Sequence, residues 1–324
     1  MFTGELMPLI RYADGTWNVE GDEQDSERIA KWNPAYREAL PRYLTALDPA
    51  FNQANQRSEF MFLLSLLRVR GLEDAGWDPY ETTLRAIPAM YRVHDHIVKA
   101  GEIEAAQHLG LWLYGHIVEA SEPYELLANL VDVANGGEFL FNRFPPHPNG
   151  RPKSPGEKIQ QLREMAVAAE MPAVASPLQE IWNREFRNAI FHADYSFYGS
   201  ELRTVRPMQT YTHDEHMTIL NRALAYHEAL AHLYNTSIAS YHKPEVIPVY
   251  PKFSQDPEER AVVIVREGYG ATGLKDAWTL QQIAAGRITF RIGRFSPEEV
   301  GLLDRNRTLA LLPRRPEGRP QRTL

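Results

Sequence analysis

The chain has 324 residues, 44% of them apolar and 24% charged, which fits a globular protein with a substantial core and excludes a wholly disordered one. It contains no cysteine, so disulfides, thiolate catalysis and cysteine-ligated zinc or iron-sulfur centres are excluded, and any metal site would draw on 11 histidines and the carboxylates. A formal charge of −7 argues against a positively coated surface for bulk nucleic-acid binding while leaving a local basic cleft open.

Residues 1–23 read as an irregular or short-strand lead-in, interrupted by Gly15 and Gly21. They lack the basic and then apolar pattern of a signal peptide. The longest apolar runs, such as Phe60 to Leu67, fall far short of the roughly 20 residues that span a bilayer. A cytoplasmic location with no membrane partner is the expectation by elimination.

Asp25 to Leu47 has amphipathic helical spacing, with breaks expected near Pro34 and Pro41. A clearer helix covers Asn55 to Val69, burying Phe60, Leu63, Leu64 and Leu67, with Gly71 as its stop. The next runs from Pro79 to about Ala100, with a kink or split expected at Pro88, and Gly101 separates it from a helix over Glu102 to Ala120. Glu122 to Ala134 supplies a shorter helix before Gly136 and Gly137. Few β-branched runs interrupt these segments, so a helical bundle is favoured over a sheet. Pro145 to Gly156 is the strongest punctuation, either a linker or a long surface loop within one helical domain. Helices resume over Glu157 to Glu170 and Pro177 to Ala193.

Glu180 to Phe197, EIWNREFRNAIFHADYSF, carries the most informative residues. At about 100° per residue, Trp182, Phe186, Ala189, Ile190 and Ala193 form a broad apolar side, and Arg184, Asn188 and His192 lie on a separate face with Glu185 beside it. Arg187 points about 140° from His192. Their cooperation requires a long arginine reach, a distorted last turn or a second protomer. As structural residues, His192 braces the helix end, Arg187 pairs with a helix carboxylate and Asn188 bonds a neighbouring loop.

Arg187-Asn188, three further residues and His192 together resemble the arginine, polar residue and histidine signature of HEPN domains, which are compact helical bundles. The resemblance covers about residues 155 to 240 and extends to the preceding helices from residue 55. In that family a long helix follows the motif helix, a place that Asp214 to Ser240 fills here. Active members are metal-independent endoribonucleases, commonly dimeric, with the motifs of two copies facing across a composite cleft. The resemblance therefore implies RNA as a partner, a homodimer, no cofactor and no metal. It implies that Arg187 stabilises charge on the scissile phosphate, that Asn188 orients a phosphate oxygen or the imidazole, and that His192 transfers a proton as the 2′-hydroxyl attacks. The expected function is an RNase or RNase-derived protein of stress response or defence. The alternative is a noncatalytic helical module that binds RNA or a protein partner.

Other clusters carry weaker chemistry. His108, Trp112, His116 and Glu119 share a helical side and either ligate a transition metal or pack in a polar seam. His94 and His96 straddle Asp95 but do not face one another on a helix, and His213 and His216 flank Asp214 and Glu215 at a helix start, where capping explains the acids. After Tyr241, HKPEVIPVYPKF reads as an extended connector and Ala261 to Val265 as a strand. Arg266 to Gly273 reads as a tight turn without phosphate-loop spacing. A helix over Leu274 to Ala285, an alternating segment from Ile288 to Phe295, a helix start at Ser296 to Val300 and a strand over Leu309 to Leu312 complete the expectation. Nine arginines against four acidic residues from Arg287 through Arg322 make a solvated tail or a surface for an RNA backbone or an acidic protein partner. The fold class is mainly α, with a helical bundle over residues 1–242 and a small α/β or strand-containing appendage over 243–324.

Overall fold

In the computed structural model, which describes residues 9–19, 33–68, 79–253 and 258–276, the chain opens on an antiparallel hairpin of β1 (Leu9–Arg11) and β2 (Trp17–Val19). Arg11 ties this hairpin to Asp48 at 2.7 Å, and the Trp17 amide donates to Thr45 Oγ1 at 2.9 Å. Both acceptors lie on α1 (Pro34–Arg57), which Asn33 caps by accepting the Ala35 amide. The break expected near Pro34 is the helix start itself, and residues 25–32 of the expected helix lie outside the described residues, whereas the break expected near Pro41 does not occur, because α1 runs through Pro41 and Pro49. Each internal proline costs about 3 kcal/mol. Burial of Leu40, Tyr43, Leu44, Leu47 and Phe51, at about 1.5–3 kcal/mol each, outweighs that cost.

The apolar pattern of Asn55 to Val69 is likewise shared between two helices. Ser58 sits in an extended conformation and accepts the Met61 amide, so α2 (Glu59–Leu67) begins only after α1 has ended. α3 (Pro79–Lys99) continues through Pro88, so no split is found there. α4 (Ile103–Glu119) and α5 (Ser121–Ala134) match their expected spans closely. Gly136, at φ +89, ends α5 while the Gly137 amide returns to the Asp132 carbonyl at 2.8 Å.

The proline-rich segment ends two residues early. Ser154 and Glu157 form a reciprocal capping box that starts α6 (Pro155–Ala168), so Pro155 and Gly156 are helical. Buried Leu127 and Val131 before the segment belong to the same apolar cluster as Leu162, Ala166 and Val174 after it. Residues 145–153 are therefore a loop within one core. A 3-10 turn (Pro172–Ala175) then leads to α7 (Ser176–Ile181) and α8 (Arg184–Phe191).

Between α8 and α9 (His213–Ala239) lies a meander that the sequence reading passed over: β3 (Tyr195–Tyr198), β4 (Glu201–Val205) and β5 (Met208–Tyr211). A second capping box, Thr212 with Glu215, starts α9, which packs along α1 and α4. The connector after Tyr241 contains β6 (Val246–Pro248), which joins β7 (Arg260–Arg266) and β8 (Gly270–Asp276) in an antiparallel sheet. Leu274 to Asp276 thus extend a strand where a helix was expected, because Val263 pairs with Leu274 and both side chains are buried. The remainder of that expected helix to Ala285, the alternating segment from Ile288 to Phe295, the helix start at Ser296 to Val300 and the strand over Leu309 to Leu312 lie outside the described residues. The architecture is a mainly α-helical bundle with a small C-terminal sheet whose Ile247, Val263 and Leu274 join the helical core. Among the described residues no helix is long and apolar enough to cross a membrane.

Candidate functional site

The expected helix over Pro177 to Ala193 is broken at Trp182 and Asn183. Asn183 adopts an extended conformation and its side chain accepts the Phe186 amide at 2.9 Å, which starts α8 afresh. Tyr114 of α4 holds the break from the other side, donating to the Ile181 carbonyl at 3.0 Å and accepting the Asn183 amide at 3.2 Å. Phe186 is buried between Tyr114 and Tyr211, with ring centroids 5.1 and 5.2 Å away. The motif helix is therefore positioned by α4 and the meander.

Helicity stops at Phe191 rather than Ala193. His192 is the C-cap, Ala193 takes φ +54, and the Asp194 amide returns to the Ala189 carbonyl at 2.9 Å, a Schellman closure without its usual glycine. An alanine held in the left-handed region carries strain that a glycine does not. Ala193→Gly is expected to raise unfolding stability by about 1 kcal/mol in chemical denaturation. An unchanged or lower stability would show that this turn is unstrained.

Arg187 reaches across to α4 and forms an ion pair with Glu119. It also donates to Asn188 Oδ1 at 2.9 Å, and its guanidinium carbon lies 4.8 Å from the centroid of the Phe191 ring. Phe191 in turn packs on Gly115, where a Cβ would come within 3.0 Å of its ring. Arg187 and Asn188 thus meet through the length of the guanidinium arm. His192 does not join them. Its side chain is exposed and has no hydrogen-bond partner among the described residues.

Arg187 and Asn188 line a cleft of about 540 Å³ together with Arg151 of the loop, Glu157 of α6, Trp182 and Arg184. Arg184 and Asn188, placed on one face by the sequence reading, do share the cleft; His192, placed with them, is not among its lining residues. Arg151 and Trp182 were missed as site residues. The signal for them was the Ser154-x-x-Glu157 capping pattern, which turns the loop back over the motif helix, and Gly156, where a Cβ would meet the indole at 3.2 Å. Glu157 is held far down, to about 2, first by the backbone and hydroxyl of Ser154 and then by Arg151 and His147.

The remaining histidine candidates resolve into packing. His108 shares a 2.8 Å hydrogen bond with Tyr195 Oη, Trp112 is exposed, and Glu119 is committed to Arg187. The His116 Nε2 atom is buried without a partner, and burial lowers the imidazole pKa. His94 lies 6.3 Å from Tyr91 ring to ring, with its pKa lowered by burial, while His96 is exposed. His216 Nδ1 bonds the Thr212 carbonyl at 2.9 Å and Glu215 closes the cap, so that cluster is a helix start. Arg266 to Gly270 form a turn between β7 and β8, with Gly268 at φ +71. Among the described residues no three histidine or acidic side chains converge as a metal site. No protein-family model, curated protein or solved structure matches this chain.

Proposed function

We propose that this chain is a HEPN-like helical module that binds RNA at the cleft beside Arg187 and Asn188. The observation that carries the reading is the pairing of those two side chains on the cleft wall. The Arg187 Nε and Nη1 groups are fixed by Glu119 and Asn188, which leaves its Nη2 group for a phosphate oxygen. Binding is favoured over cleavage within a single chain, because in-line attack needs the imidazole at the phosphate that the arginine holds, and His192 does not line the cleft.

Metal-independent cleavage is the second reading, and the exposed, unpartnered imidazole of His192 favours it. In a homodimer His192 would act at the partner's cleft, as the family resemblance implies. A cytoplasmic stress or defence role and an RNA or protein contact through the basic segment Arg287 to Arg322, which lies outside the described residues, belong to the same proposal. The test compares wild type with His192→Ala on mixed structured and single-stranded RNA in excess chelator. Cyclic-phosphate ends made by the wild type and lost in the variant establish cleavage, and equal cutting by both sinks the role of His192. Binding without turnover selects the noncatalytic module, and failure to bind any RNA rejects both readings.

A further inference from the structure

Most side-chain acceptors on the cleft wall are already used, whereas several donors are not. Glu157 receives the Ser154 amide and hydroxyl on one oxygen, each at 2.8 Å, and Arg151 at 3.1 Å on the other, beside which His147 Nε2 lies at 2.9 Å and accepts from Arg151 at 2.8 Å. Three of its four lone-pair positions are occupied, and His147 crowds the fourth. Asn188 Oδ1 is taken by Arg187. On the donor side, Arg184 has no ion pair, the Trp182 indole N–H has no acceptor and the Asn188 amide nitrogen is unused among the described residues. Glu180, the acid four residues before Arg184, is itself bound by Arg42 and Arg222.

Arg184 also breaks a local rule. It occupies the first position of α8, where the helix dipole disfavours a cation. A charge placed against the dipole, exposed, without a partner and on a cleft wall fits a ligand contact better than it fits helix stability. The α6 end does not supply the anion site itself, because its capping box already uses the Ser154 and Glu157 groups. The donors that remain are the guanidiniums, the indole and the carboxamide.

We propose that this cleft is a binding site for a terminal phosphate, with Arg184 as its principal anchor. A ligand that only accepts hydrogen bonds and carries negative charge matches this donor surplus. A phosphomonoester offers three charged oxygens, whereas a phosphodiester offers two. At about 540 Å³ the cleft has room for a phosphate with its nucleoside. Two sources share that chemistry, the phosphorylated end of an RNA strand and a free nucleoside monophosphate. The strand-end source rests on the RNA reading, and the site itself does not require cleavage.

Binding of a short RNA carrying either a 5′-phosphate or a 5′-hydroxyl, with inorganic phosphate and adenosine monophosphate as competitors, tests this on the full chain. The wild type is expected to prefer the phosphorylated end by about tenfold, and Arg184→Ala and Arg184→Glu are expected to abolish that preference with unchanged circular dichroism. Wild-type binding of the monophosphate but of neither RNA, lost in both variants, supports the site with a free nucleotide as its source and rejects the RNA reading alone. Equal affinity for both RNA ends, with no competition by either small phosphate, overturns the proposal and leaves general RNA binding standing. A preference that survives in both Arg184 variants also overturns it.

Discussion

Replacing Glu228 by glutamine is expected to raise stability by about 3 kcal/mol at pH 8 and to leave it unchanged at pH 4. Glu228 lies on α9, partly buried, with neither an ion pair nor a hydrogen bond among the described residues, and burial pushes its carboxyl up to about 7. The native state therefore holds a proton that the unfolded chain releases near pH 4.5, so wild-type stability is lost as pH rises from there through 7. Its neighbour His227 does the opposite. Burial, and then the nearby His116, lower it from 6.5 to about 4, so its stabilisation is lost as pH falls between those values. In the wild type the two slopes nearly cancel across the shared interval. In Glu228→Gln the histidine slope is unmasked, and stability should fall by about 3 kcal/mol between pH 6.5 and 4. Denaturant titrations of both proteins at pH 4, 5.5 and 8 measure the difference directly. A gap of the same size at all three values would show that Glu228 ionises normally.

Gly270→Ala is expected to cost about 3 kcal/mol, the sum of overpacking and of a left-handed backbone forced on a residue with a side chain. Gly270 starts β8 at φ +107, and a Cβ there would stand 2.1 Å from the Ile238 carbonyl oxygen near the end of α9. Neither partner can yield by rotating a side chain, so the strand must leave the helix. Gly268, two residues earlier at φ +71, meets nothing within 4 Å, and its alanine variant should cost only about 1 kcal/mol. Chemical denaturation of the pair separates strain from steric contact. Similar losses in the two variants would mean that the sheet does not depend on the close approach to α9.

The sequence signals were sufficient where apolar spacing and punctuation agreed, as at Gly101 between α3 and α4 and at Gly136 after α5. They failed where burial overrode a local preference, as at Pro41 within α1, and where one apolar run served two helices, as at Ser58. Trp182 and Asn183 interrupt the motif helix through a cap and a tertiary bond from Tyr114, neither of which apolar periodicity registers. The meander was marked by two-residue turns at Gly199-Ser200 and Arg206-Pro207, but its alternating strands are short and half exposed. At the site, Arg184 and Asn188 were legible as one face. The adjacency of Arg187 to Asn188 was not, because consecutive helical residues point about 100° apart and only the bent guanidinium arm closes the gap. Glu119 and Arg151 reach the motif helix from distant segments that only the folded chain brings near.

The loop at 145–153 has a consequence for what holds the molecule together. It is mostly exposed, and its own bonds, such as the Gly150 amide to the His147 carbonyl at 2.7 Å, are local. The apolar faces of α1 and α5 find their complements in α6 and α9, on the other side of that loop. A cut between Asn149 and Gly150 would thus sever a tether and spare the core, and the two fragments would remain a noncovalent pair in which each completes the other. Such a split chain would keep Arg184, Arg187 and Asn188 in place while Arg151 became the first cleft residue set free. The core helices thus carry both the fold and most of the cleft, and the loop contributes Arg151 alone.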